Sequence, residues 1–84
     1  MSRPTKTLER VLRGASDASV AFSDLTGLLR ALGFDERIRG DHFIYSRADV
    51  AEIINIQPVG SKSKPYQVKQ VRSIILAYKL GDTL

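Results

Sequence analysis

The chain has no cysteine, no tryptophan and a single histidine among its 84 residues. Without cysteine there are no disulfide staples and no thiolate metal sites, and one imidazole excludes a histidine-rich zinc site within one chain. There is no glycine-rich phosphate loop, no Ser-His-Asp set and no carboxylate cluster with metal spacing, so no metal and no cofactor are expected. No run of about 18 apolar residues is present to span a bilayer. Met1-Ser2-Arg3-Pro4-Thr5-Lys6 is not followed by the continuous apolar segment of a signal peptide. The expectation is a soluble, cytoplasmic protein with no membrane partner, stabilised by packing alone.

Hydrophobic residues make up 43% of the chain. That suffices for one thin core, since a domain of this size buries roughly 60 to 65% of its unfolded surface. Thirteen Lys and Arg against nine Asp and Glu give a net charge of +4, which points to an anionic partner. The distribution is more informative than the total. The last third carries Lys62, Lys64, Lys69, Arg72 and Lys79 against one acid, Asp82, whereas Asp35 to Glu52 mixes signs.

Apolar spacing divides the chain by period. Leu8, Val11 and Leu12 stand at i, i+3 and i+4, which predicts a helix over Thr5 to Arg13 stopped by Gly14. Ala15 to Val20 reads as a linker. Ser23 offers an N-cap hydroxyl to a second helix striped by Leu25, Leu28, Leu29 and Leu32, with Gly33 closing it and Phe34 as the apolar contact of the cap. The period then falls to two. Phe34 to Arg39 and His42 to Arg47 predict two strands joined by a Gly40-Asp41 turn, Asp49 lies in the next turn, and Glu52 to Gln57 is a third, β-branched strand. Ser61 to Tyr66 reads as a mobile basic loop. Gln67 to Leu80 is a last helix that buries Val68, Val71, Ile74, Ile75 and Tyr78.

This order, α-α-β-β-β-α, predicts an α+β sandwich of two layers, a three-stranded antiparallel sheet with helices on one face and the other face free. Strand alternation puts Phe43 and Tyr45 on one face and His42, Ile44 and Ser46 on the other. The aromatics carry the larger apolar area, so they are assigned to the helices and His42 to the free face.

Proton transfer near neutral pH then has one evident candidate, the imidazole of His42. Arg37, Arg39, Lys62 and Lys64 are candidates to hold a phosphate beside it, and Lys69 and Arg72 extend the basic segment along the last helix. Metal-free RNA cleavage needs a base for the 2′-hydroxyl, positive charge for the phosphorane and a proton for the leaving 5′-oxygen. His42 fits the first role and the basic residues the second. The acid has no evident owner, so turnover is expected to be slow, with water, a lysine or Tyr45 completing the transfer. Tyr66 is a candidate to stack on an unpaired base, although packing over the last helix is its expected place. Two rival readings use the same residues: a non-catalytic RNA-binding module, and a protein-interaction domain whose charge is incidental.

Leu29-Arg30-Ala31-Leu32-Gly33-Phe34, then Arg39-Gly40-Asp41-His42-Phe43-Ile44-Tyr45, a β-branched strand, a basic proline loop and Val71-Arg72-Ser73-Ile74-Ile75 together resemble the HicA-type toxins of bacterial toxin–antitoxin systems. The resemblance covers roughly Asp24 to Gly81, and its most specific element is the Gly-x-His step before an aromatic strand. It implies a fold similar to double-stranded-RNA-binding domains and an mRNA-cleaving interferase held inactive by a HicB-type antitoxin in a hetero-oligomer. It places the catalytic histidine at His42 and the turn glycine at Gly40. The family usually has serine where this chain has Asp41, which points away from His42 in a regular strand and approaches it only if the turn is distorted. The family also usually starts near the second helix, so residues 1–22 are expected to be a helical extension of the 23–84 domain.

Overall fold

The computed structural model describes residues 3–84, so residues 1 and 2 of the expected extension lie outside it. In chain order its elements are α1 (Arg3–Arg13), a 3-10 turn (Asp17–Ser19), α2 (Phe22–Ala31), β1 (Asp35–Arg39), β2 (His42–Arg47) and β3 (Val50–Ile56). A short hairpin of β4 (Pro58–Val59) and β5 (Lys62–Ser63) follows, then α3 (Pro65–Tyr78) and a closing 3-10 turn (Leu80–Thr83). The three-stranded sheet has the order β1-β2-β3 with both pairings antiparallel. The α+β layout with its antiparallel sheet is thus the expected one. No helix among the described residues is long and apolar enough to cross a membrane.

The leucine stripe of α2 is buried throughout, Leu25, Leu28 and Leu29 completely. The helix ends as its sequence predicts. Gly33 N–H donates to Arg30 C=O and Phe34 N–H to Leu29 C=O, the paired bonds of a Schellman cap, and Phe34 is buried beyond them. Its start differs from the expectation. Ala21, not Ser23, is the cap residue, and no side chain caps the helix. Tertiary structure replaces the cap: Ala21 bridges to Lys62, and Phe22 N–H donates to Ser61 C=O at 2.9 Å.

That contact also corrects the expected mobile loop over Ser61 to Tyr66. Val59 pairs with Lys62 in the β4–β5 hairpin, Ser63 N–H donates to Val20 C=O, and Pro65 already begins α3. Proline suits a first helical position, where its missing N–H has no intrahelical partner to lose. α3 therefore starts two residues before Gln67, and it ends at Tyr78 because Lys79 turns left-handed at φ +55°.

The first helix is no appendage. Leu8 and Val11 belong to the same core as α2, β2, β3 and α3, and the boundary expected between residues 22 and 23 falls inside α2. Leu12, expected on the buried stripe, is 38% exposed. Arg72 adds a polar tie between α1 and α3. Its guanidinium forms two bonds to the Asp17 carboxylate, at 2.9 and 3.1 Å, and a third to the Val11 carbonyl at 3.1 Å. Gly14 makes room for this clamp, since a Cβ there would stand 3.1 Å from an Arg72 nitrogen.

Candidate nucleic-acid interface

Each strand of the main sheet sends alternate side chains to opposite faces. The inner set includes Tyr45, Val50, Ile54 and Ile56, all buried, and Phe43, whose ring meets Phe22 edge-on at 4.9 Å. Tyr45 is covered completely and its phenol donates to the Glu36 carboxylate. Burial, and then that hydrogen bond, push its pKa above the ordinary tyrosine range. Tyr45 is therefore removed from the expected proton donors to a leaving group: it is on the wrong face and holds its proton.

The outer set follows from the register. Arg39 stands opposite His42, Arg37 opposite Ile44, and Ile44 opposite Asn55. The turn that delivers His42 has Gly40 at φ +60°, which suits the first position of a two-residue hairpin loop, where a Cβ would be strained. The His42 side chain is 49% exposed, on the free face, as its parity requires.

The ring of His42 is held from both sides. Its Nδ1 lies 3.3 Å from Asn55 Oδ1, and its Nε2 lies 3.2 Å from the side-chain nitrogen of Gln57. The Asp41 carboxylate approaches Nε2 to 3.8 Å, beyond hydrogen-bond reach. Asn55 and Gln57 had no place in the sequence argument. The signal for them was available, because they alternate on a β-branched run and so share an outer face.

The basic candidates separate into four groups. Arg37 and Arg39 flank His42, are exposed, and are absent from the ion pairs among the described residues, which engage Arg3, Arg30, Arg47 and Arg72. Lys62 and Lys64 lie around the short hairpin, with the Lys64 ammonium 5.9 Å from the centre of the Tyr66 ring. Tyr66 does not pack over α3 as expected: it is 61% exposed, with the Lys64 ammonium over its ring. Lys69 is exposed on α3, on the side of Asp17. Arg72 is the clear correction, since its nitrogens are spent on Asp17 and Val11 and its side chain is only 20% exposed. Among the described residues no hydrogen bond or ion pair joins Lys62, Lys64 or Lys69 to His42, whose polar contacts are Asn55, Gln57 and Asp41.

A shallow depression of about 400 Å³ opens beside Arg37, lined also by Asp35, Glu36, Ile44, Ser46 and Ile53. Ile53 is 64% exposed within it. Among the described residues no group of three or more His, Asp or Glu side chains is gathered to hold a metal ion. No family model, no curated protein and no solved structure matches this chain.

Proposed function

We propose that the protein is an endoribonuclease of the HicA-like toxin kind, built on a two-layer fold like that of double-stranded-RNA-binding domains. The observation that carries this reading is the chain's one imidazole, exposed on the free sheet face with an arginine directly across the strand pair and a second one row away. In the reaction, His42 Nε2 takes the proton of a ribose 2′-hydroxyl. The 2′-oxygen then bonds to phosphorus, the bond from phosphorus to the 5′-oxygen breaks, and water supplies the proton to that oxygen. Arg39 and Arg37 offset the charge that builds on the phosphoryl oxygens. Lys62, Lys64 and Tyr66 supply a second, basic and aromatic surface for the strand, the tyrosine ring being exposed to a base beside the Lys64 ammonium. Arg72 has no part in the contact. A HicB-type antitoxin silences the enzyme, in this reading, by covering the free face and with it His42.

The test is incubation of the purified protein with end-labelled single-stranded RNA in excess chelator, wild type beside His42→Ala, following cleavage and binding together. Cleavage by the wild type alone, leaving 2′,3′-cyclic phosphate ends, is expected. Binding by both proteins without cleavage would replace the enzyme by an RNA-binding module. Neither activity would leave a protein-interaction domain.

A further inference from the structure

We infer that the outer face of β3 and the residue just after it set which nitrogen of the neutral imidazole carries the proton. Asn55 is the positioning residue that keeps the proton on Nδ1, and Gln57 is the donor that holds Nε2 ready and gives way to substrate. This rests on the reading of His42 as a general base.

A side-chain amide oxygen only accepts, so the 3.3 Å contact of Asn55 Oδ1 is a hydrogen bond only when Nδ1 carries hydrogen. A side-chain amide nitrogen only donates, so the 3.2 Å contact of Gln57 is a hydrogen bond only when Nε2 offers its lone pair. The two contacts come from opposite sides of the ring and require the same tautomer, the one that free histidine populates less. Among the ion pairs of the described residues, the Asp41 carboxylate is the contact at Nε2 that favours the other tautomer, and at 3.8 Å it is farther away than Gln57. Arg39, across the strand pair, is a donor and adds no acceptor to the ring's surroundings.

The placement has a local cause. Extending the β2–β3 register by one pair beyond Phe43 and Ile56 sets Gln57 opposite His42, while Asn55, opposite Ile44, is the diagonal neighbour. Direct and diagonal positions are the two that a side chain on an adjacent strand can reach. One ring nitrogen is thereby assigned to each. A base needs a bare nitrogen facing its substrate, and which nitrogen is bare is decided by the partner of the other. A 2′-hydroxyl arriving at Nε2 replaces the Gln57 donor with its own O–H. The released amide then lies beside the reacting phosphate, where its N–H groups can meet a phosphoryl oxygen.

The chain has one histidine, so a long-range proton–nitrogen NMR correlation of uniformly 15N-labelled protein contains a single imidazole. At a pH where the ring is neutral, Nδ1 is expected in the protonated, pyrrole-like range and Nε2 in the pyridine-like range. Asn55→Leu is expected to move the ring toward the Nε2–H form, and Asn55→Asp, which keeps an acceptor at the same reach, to retain the Nδ1–H form. Cleavage by the leucine variant is expected to fall roughly tenfold, a part of what a general base contributes, and to recover in the aspartate variant. A wild-type ring in the Nε2–H form, or a leucine variant with the wild-type tautomer, would overturn the inference whatever happens to RNA. An Nδ1–H ring in a protein that cleaves nothing would overturn the enzymatic reading and leave the hydrogen-bond assignment standing.

Discussion

The two faces of the main sheet are made by the same strands and the same alternation, yet they hold opposite contents. The inner face gathers Tyr45, Val50, Ile54 and Ile56 out of water, and the outer face presents Arg37, Arg39, His42 and Asn55 to it. A small domain has little core to spare, so chemistry is affordable only on a face that folding does not use. The arginines repeat the contrast. Arg72 has spent its nitrogens joining α1 to α3, whereas Arg37 and Arg39 take no part in the ion pairs among the described residues.

Ile54→Ala and His42→Ala test the separation of the faces most strongly. Ile54 is completely buried, so its truncation is expected to cost about 2 to 5 kcal/mol, read from the urea midpoint. The His42 substitution should change stability by less than about 0.5 kcal/mol while lowering RNA cleavage about 10²- to 10⁴-fold. A His42→Ala protein that unfolds would show that the outer face also holds the fold together.

The arginines provide the next test. Replacing Arg37 and Arg39 together by alanine is expected to flatten the dependence of log affinity for single-stranded RNA on log salt by about 1.4, since each phosphate contact contributes roughly 0.7. Arg72→Met should leave that slope unchanged and lower the unfolding midpoint instead. An Arg72 variant with a flatter slope would return that residue to the interface.

The same clamp makes stability depend on acid. The hydrogen bonds from Arg72 are the main cause that holds the Asp17 carboxyl below its ordinary pKa. A carboxylate with a depressed folded-state pKa contributes stability that is fully present above its unfolded value, about 3.9, and is lost as pH falls through the folded one. Urea midpoints measured downward from pH 5 should therefore fall more steeply in the wild type than in Asp17→Asn. Parallel curves would sever the link between the clamp and acid sensitivity.

Ser63 offers the smallest effect. Its side-chain hydroxyl is buried and, among the described residues, without a hydrogen-bond partner, so Ser63→Ala is expected to be neutral or stabilising by up to about 1 kcal/mol. A loss of stability would mean that the hydroxyl is satisfied in solution.

Regular stretches were the legible part of this fold. The leucine spacing of α2, the Gly40-Asp41 turn and the alternation of β2 each depend on neighbours within a few residues, and each is found where the pattern puts it. Ser23 misled because the acceptor that orders the entry to α2 comes from Ser61, far along the chain. Arg72 misled for the same reason: its charge is visible in the sequence, but Asp17 stands 55 residues away. At the candidate site, His42 and its face were readable from composition and parity. Alternation put Asn55 and Gln57 on one outer face, but joining them to His42 requires the register between two strands.

The sequence by itself determined the period of each segment, the face on which His42 stands and the narrow inventory of groups able to move a proton. All three are properties of local geometry or of composition. Only the tertiary structure decided which cations of the described residues are paired, how the start of α2 is held and which amides hold the imidazole. Those outcomes depend on contacts between distant segments, and pairing one partner rather than another shifts free energy by amounts that no local pattern encodes.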